Sequence, residues 1–449
     1  MKSVTESIKV ELIDYGPVYK NFIPDKILAV SGILTAKKGD FTKMLESLSE
    51  NAVKKFHEEA TKRGHASLLT TPIFYFWIEG SRVIDFFLTS FPFGSYLMFS
   101  SRRIEISMDN IVIPDAIKNS EYKNEYEKIC KELLKEYKNL LKFGYDQARN
   151  ILPLGFTSYG FFSFPAQTIL TCINECKRNK AIPEELKIIS NEFEKILKLK
   201  TSYIFKNSEK AYETGYTFPN IFGDYEILEN ECVEVIYKGD IRKILELYNK
   251  SVDWKKISQH AQLEIFVKVV SFISLAGWNE IKRHRTVKQF VEPIYKAIER
   301  YLKNPKEEYF HIPPNAGKSY KEAFHNAIAF YEKLIKSGVE KKHALYIIPH
   351  ALKVKFKLIL DGYNLLDPFG FIGIRSCSTT HYEVRRFAEK ISENVTKAVP
   401  ELKNLIAPKC KIGICPEKNC CGIVKRFERK NNYPKIPPKP CKAFSFSSS

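Results

Sequence analysis

The sequence predicts an α+β protein in which one domain plan is used twice. Three observations carry this. Strand-like and amphipathic helical stretches are intermixed along the chain. A pattern of long helix, glycine, short helix and proline recurs at a steady offset, the mark of an internal repeat. The chain's 449 residues, 44% hydrophobic and 13% aromatic, supply apolar material for two cores, at about 150 residues per domain.

Residues 8–15 (IKVELIDY) alternate apolar and polar side chains and read as a strand. Residues 40–64 read as one helix with Phe41, Met44, Leu45, Leu48, Val53 and Phe56 on its apolar face, closed by Gly64. Residues 73–79 (IFYFWIE) are aromatic and strand-like, and residues 81–88 helical, broken at Phe93-Gly94. A long amphipathic helix is expected over 121–144, a short one over 145–152 stopped near Pro153, and another over 183–205.

The pattern then returns. A helix over 325–338 ends in glycine, and 339–348 leads into Pro349, which lies 196 positions after Pro153. The stretch 207–230, rich in Gly, Asn, Thr and Tyr, reads as the joint. The expected organisation is a first repeat over 1–225, a second over 226–405 and a Cys/Pro-rich tail over 406–449.

The formal charge of +19 favours phosphate-bearing partners, with nucleic acid among them. The lysines are spread along the chain, so the charge marks no single patch and a solvated basic surface explains it equally well. Residues 1–11 lack the apolar core of a signal peptide. The most apolar stretch, 71–99, carries Glu79, Arg82 and Asp85, which a bilayer core tolerates poorly. The expectation is a soluble, cytoplasmic protein with no membrane partner. Cys130, Cys172, Cys176, Cys232 and Cys377 read as reduced core residues of such a protein.

The first repeat contains GHASLLTTPIFYFWIEGSR (64–82), SYLMFSSRR (95–103) and ARNILP (148–153). The second contains RHRT (283–286) and IRSCSTTHYEVR (374–385). In order and content these segments resemble the flavin-dependent thymidylate synthases: Gly-His with a nearby Ser, an aromatic strand, Ser-Arg, Arg-His-Arg, Ser-x-Arg, Ala-Arg-x-x-Leu-Pro and a closing Arg…Glu-x-Arg helix. The resemblance covers most of residues 8–400. It implies two thymidylate-synthase-complementing-type domains, each an antiparallel sheet with long helices, pairing as a pseudo-dimer within the chain. A homodimer would then give a tetramer-like assembly.

Neither repeat alone holds the whole motif set. The first has Ser90-Phe91-Pro92 in place of Arg-His-Arg, and Cys176 in place of the late arginine. The second has Pro293 in place of the serine of Ser-x-Arg, and Leu345 in place of the arginine of Ala-Arg. The flavin-holding Asn-x-Arg aligns with Pro165-Ala166-Gln167 and with Asp361-Gly362-Tyr363, and Glu280 stands where the family usually has Gln. The losses are complementary, which leads to the expectation of one composite site between the two repeats.

The resemblance implies a role for each retained residue. Arg283, His284 and Arg285 would grip FAD, whose diphosphate suits forked guanidinium donors, and His65 and Ser67 would line the cofactor side. Ser100, Arg102 and Arg149 would hold a dUMP-like nucleotide. Arg375 would bind the pyrimidine and act catalytically by favouring its ring anion. Plainer readings compete: Arg283, His284 and Arg285 as a solvent-exposed basic cluster at a helix C-terminus, His65 as a helix-end residue, Arg149 paired with Asp146, and Arg375 paired with Glu383 or with a neighbouring helix. The implied reaction is the conversion of dUMP to dTMP, or methylation of a related pyrimidine, with methylene-tetrahydrofolate and NADPH as co-substrates. The rival expectation is a catalytically inactive paralogue that binds nucleotide or nucleic acid, or scaffolds a partner.

Cys410, Cys415, Cys420 and Cys421, with Cys441 later, lie in a proline-rich tail. Thiols so closely spaced suit tetrahedral zinc or an iron–sulfur cluster. A reduced or disulfide-linked tail is the alternative. The last residues, FSFSSS, read as disordered.

Overall fold

The computed structural model of the chain describes residues 1–62, 67–208, 218–251 and 253–409. His65, the four tail cysteines proposed as metal ligands and the FSFSSS end therefore lie outside the described residues.

The described residues form two four-stranded antiparallel sheets. The first contains β1 (Lys9–Gly16), β2 (Ile73–Ser81), β3 (Ser95–Met98) and β4 (Thr157–Pro165), in the order β1-β2-β4-β3. The second contains β5 (Cys232–Lys238), β6 (Ile265–Ser274), β7 (Lys288–Val291) and β8 (Lys353–Asp361), in the order β5-β6-β8-β7. The repetition extends to a local irregularity. The register of β1 slips between Leu12 and Asp14, and that of β5 between Val235 and Tyr237. An extra residue at the same place in both first strands is inherited geometry, since a bulge redirects every side chain beyond it.

The chain divides into two compact units, and each draws a segment from the other repeat. Unit 1 comprises residues 1–138, 151–223 and 318–349, and unit 2 comprises 139–150, 224–317 and 350–449.

In unit 1 the alternation of β2 buries Phe74, Phe76 and Ile78 completely, and β4 adds Phe162 and Phe164 on the same core face. Phe193, on the helix Glu184–Lys200, packs 4.7 Å from the Phe76 ring. The helix Lys123–Leu141 lies antiparallel to the helix Lys318–Lys336 within this unit. Polar contacts run along the pair: Tyr122 to Ser337 (2.8 Å), Glu125 to Lys333 (2.6 Å), Glu132 to Asn326 (3.2 Å) and Glu136 to Ser319 (3.0 Å). The buried Tyr126, Leu133, Tyr137, Phe324 and Phe330 supply the apolar material.

Three helices differ from the sequence expectation. The helix expected over 40–64 divides into Phe41–Ser47 and Glu50–Lys62, because Leu48 is extended and the Ser49 hydroxyl accepts from the Ala52 amide (3.3 Å), starting a new helix. The helix expected over 183–205 ends at Lys200, and Asp25 accepts from the amides of Tyr203 (3.1 Å) and Ile204 (3.2 Å) to cap the next one. The helix expected from 325 begins at Lys318. Cys130, Cys172, Cys176 and Cys377 are buried free thiols, and Cys232 is half-buried on β5. No helix among the described residues is long and apolar enough to cross a membrane.

Candidate functional site

The site in unit 2 starts where β6 turns into a short helix, Leu275–Ile281. Ser274 ends the strand and caps the helix, its hydroxyl accepting from the Gly277 amide (3.0 Å). Glu383, on the helix Tyr382–Ala398, accepts from both the hydroxyl and the amide of Ser274. Trp278 is fully buried against Phe356, with ring centres 5.7 Å apart. These contacts fix the helix, and with it the carboxylate of Glu280, which is only 9% exposed.

Glu280 joins two arginines. One oxygen accepts from Arg149 Nη2 at 2.7 Å, and the other lies 3.3 Å from Arg375 Nη1. Arg149 reaches the cluster from the short helix Tyr145–Ala148, which follows Gly144 at φ 103°, a backbone state that favours glycine. It also pairs with Asp146 at 3.2 Å, while its Nε–H is buried with no acceptor among the described residues. Arg375 ends the helix Phe371–Arg375, donates from Nη2 to the main-chain oxygen of Glu280 (2.7 Å) and from Nε to His284 Nε2 (2.6 Å). Arginine always donates, so His284 accepts at Nε2 and carries its hydrogen on Nδ1. Burial, aided by the adjacent Arg375 charge, pulls the imidazole down to about 3, so it is neutral.

The turn bearing Arg283, His284 and Arg285 is held by Gln289, whose amide donates to the main-chain oxygens of Lys282 (2.9 Å) and His284 (3.2 Å). Arg283 is half-buried and Arg285 exposed.

Unit 1 carries the other predicted residues. Ser67 opens the helix Ser67–Thr70 and is exposed. Ser100 and Arg102 lie in the turn after β3, where the Arg103 amide donates to the Ser100 oxygen (3.0 Å), and Arg102 is half-buried. The buried pair Arg82 and Asp85 (2.5 Å) tethers this turn, since Arg82 also donates to the main-chain oxygen of Phe99 (3.4 Å).

Of the predicted residues, the structure thus brings Arg149, His284 and Arg375 together within one unit. Arg149 comes from the first repeat and the other two from the second. The plainer pairings of both arginines are present, Arg149 with Asp146 and Arg375 with a neighbouring helix, Leu275–Ile281. Arg149 does pair with Asp146, but its shorter contact is with Glu280. Arg375 pairs with Glu280, and Glu383 instead secures Ser274. The bridging role of Glu280, the Gln289 clamp and the Arg82 tether carry no sequence signal, because their partners are distant or are main-chain atoms.

Unit 1 shows what the same positions become without charge. A buried glutamate, Glu185, accepts from the hydroxyl (2.5 Å) and amide of Ser81, matching Glu383 on Ser274. Counting from this shared landmark puts Phe87 at the place of Glu280 and Phe91 at that of His284. Leu345 and Cys176 stand for Arg149 and Arg375. All four are buried, and Phe87 and Phe91 pack edge to face at 5.3 Å, with Phe218 on both.

The fold and this cluster define a tandem α+β protein in which a buried carboxylate joins an arginine of the first repeat to one of the second. A family model described as thymidylate synthase complementing protein matches residues 20–200 and again 230–401, and the chain belongs to that family. A flavin-dependent thymidylate synthase from Thermococcus onnurineus is 28% identical over 240 residues, 50% of this chain and 92% of the relative. Another from Sulfurisphaera tokodaii is 27% identical over 157 residues, 34% of this chain and 60% of that relative's length. A solved structure described as a UMP/dUMP methylase PolB from Streptomyces cacaoi bound with 5-Br dUMP aligns over 47% of this chain and 97% of its own. Its TM-score is 0.39 and its sequence identity 13%.

Proposed function

We propose that the chain is an FAD-dependent methyltransferase that converts dUMP, or a related pyrimidine nucleotide, to its 5-methyl product, with methylene-tetrahydrofolate as donor and NADPH as reductant. The observation that carries this reading is the junction of Arg149 from the first repeat with His284 and Arg375 from the second, in a chain matched twice by the family. Arg283 and Arg285 flank a neutral imidazole and offer forked donors of the kind a diphosphate takes, so the donor set fits FAD. A bound flavin, reduced by NADPH, would supply the hydride that completes the methyl group. Arg149 binds the nucleotide with its remaining buried N–H. Arg375 faces the pyrimidine and stabilises negative charge as it develops on the ring. His284, fixed as the Nδ1–H tautomer, orients Arg375. By the family resemblance, Ser100 and Arg102 would bind nucleotide, and Ser67 and His65 would line the cofactor side.

A second reading is favoured by the missing Asn-x-Arg. In the second repeat Asp361 stands for the asparagine and accepts from the Asn364 amide (2.9 Å), and Tyr363 stands for the arginine. On that reading the chain binds nucleotide or nucleic acid, or scaffolds a partner, without catalysis. A visible spectrum of the purified protein with FAD, followed by dUMP titration, separates the two. Retained flavin absorbance that shifts with dUMP supports the methyltransferase. Absence of both leaves the binding paralogue.

A further inference from the structure

We propose that Glu280 is the resident anion of the nucleotide site, occupying the Arg149–Arg375 pair until a ligand anion displaces it. The inference rests on the nucleotide reading above and adds a residue that sets affinity and substrate charge.

The geometry points to displacement rather than simple support. Each guanidinium has a second anchor that does not need the Glu280 carboxylate. Arg149 is also paired with Asp146 at 3.2 Å. Arg375 is held by the main-chain oxygen of Glu280 at 2.7 Å and by His284 at 2.6 Å. The carboxylate is therefore not needed to place the arginines. It neutralises them. A phosphate or a ring anion taken up by the same two arginines would share a largely buried place with a carboxylate, and like charges at such a place repel strongly. The buried Nε–H of Arg149 shows that the carboxylate leaves donor capacity unused. Replacing Glu280 by a neutral isostere removes one negative charge and leaves two partly compensated guanidiniums, a state that an external anion relieves.

The resident carboxylate also selects. An inorganic anion has only its contacts with the two arginines to set against the carboxylate, whereas a nucleotide monophosphate adds base and sugar contacts to the exchange. The site is thereby closed to inorganic anions and open to nucleotides.

The test compares binding of dUMP and of inorganic pyrophosphate to the full chain, by titration calorimetry, in wild type, E280Q and E280Q/R149Q. The expected result is that E280Q binds dUMP about ten-fold tighter than wild type and acquires measurable pyrophosphate binding, with both gains lost in the double variant. Wild type binding dUMP as tightly as E280Q, or more tightly, overturns the proposal and leaves the nucleotide reading standing. Pyrophosphate gained by E280Q while no form binds dUMP supports the resident anion and sinks the nucleotide reading. No binding of either probe to any form overturns both. Circular dichroism establishes that each variant is folded. Should E280Q not fold, E280D serves in its place: its shorter carboxylate cannot reach both arginines, and an unchanged affinity for both probes overturns the proposal.

Discussion

Arg149 donates to Glu280 at 2.7 Å across 131 positions of sequence, and the two residues belong to different repeats. The side chains are only 8% and 12% exposed, so this is a desolvated pair rather than a surface one. Removing one member of such a pair costs about 3 kcal/mol, because the other is left buried with less compensation. Arg149→Ala is expected to lower stability by that order and to abolish dUMP binding. Urea unfolding and nucleotide titration of one variant check both. Unchanged dUMP affinity would remove Arg149 from the site.

His284 gives a pH prediction whose sign is fixed by burial. Its imidazole is held at about 3 in the folded chain against 6.5 as the ordinary value. Between those limits the unfolded chain binds more protons, so stability rises with pH and is lost as pH falls from the ordinary value toward 3. The slope from this one group is at most about 1.4 kcal/mol per pH unit. His284→Asn should flatten it, and urea midpoints measured at mildly acidic and neutral pH would show the difference. An equal pH dependence in both proteins would place the ring in water.

Glu185 has the opposite sign. Burial raises its carboxyl above the usual range. The folded chain then binds more protons than the unfolded chain in the interval between the ordinary and raised values, and stability falls as pH rises through it. Glu185→Gln keeps most of the hydrogen-bond capacity toward Ser81 and Tyr346 while removing this ionisation. The variant should therefore lose less stability than wild type as pH rises through that interval. Thermal melts across that range test it.

One nucleotide per chain is expected, because Phe87, Phe91, Leu345 and Cys176 take the places of the charged residues in unit 1. Calorimetric stoichiometry near one checks this, and a value near two would require a second anion site. In the same region Phe87→Ala should cost about 3–5 kcal/mol by leaving a cavity, without changing dUMP affinity.

Much of the architecture was legible. Residues 73–79 read as a strand from their aromatic content, as β2 shows, and the helix–glycine–proline pattern returned wherever the repeat returned. The helix starts at Ser49 and Thr201 were not legible. A serine or a distant aspartate that caps a new helix looks, in a periodicity count, like one more polar position on a continuous one. The site was half legible. Arg149, His284 and Arg375 stand out as residue types in ordered motifs, but nothing local says that all three would meet Glu280. That meeting depends on which segments pack together, and packing brings together parts of the chain that pattern analysis treats separately.

The exchanged segments bear on how the chain is made. Unit 1 needs residues 318–349, so it cannot be completed when residue 223 leaves the ribosome. At about 5–20 residues per second the missing helix follows on the order of ten seconds later. Until then the apolar side of Lys123–Leu141, with Tyr126, Leu133 and Tyr137, has no partner helix to cover it. Separating the repeats into two genes would make that wait depend on the concentration of the other half. Keeping them on one message makes it a fixed delay, set by translation alone.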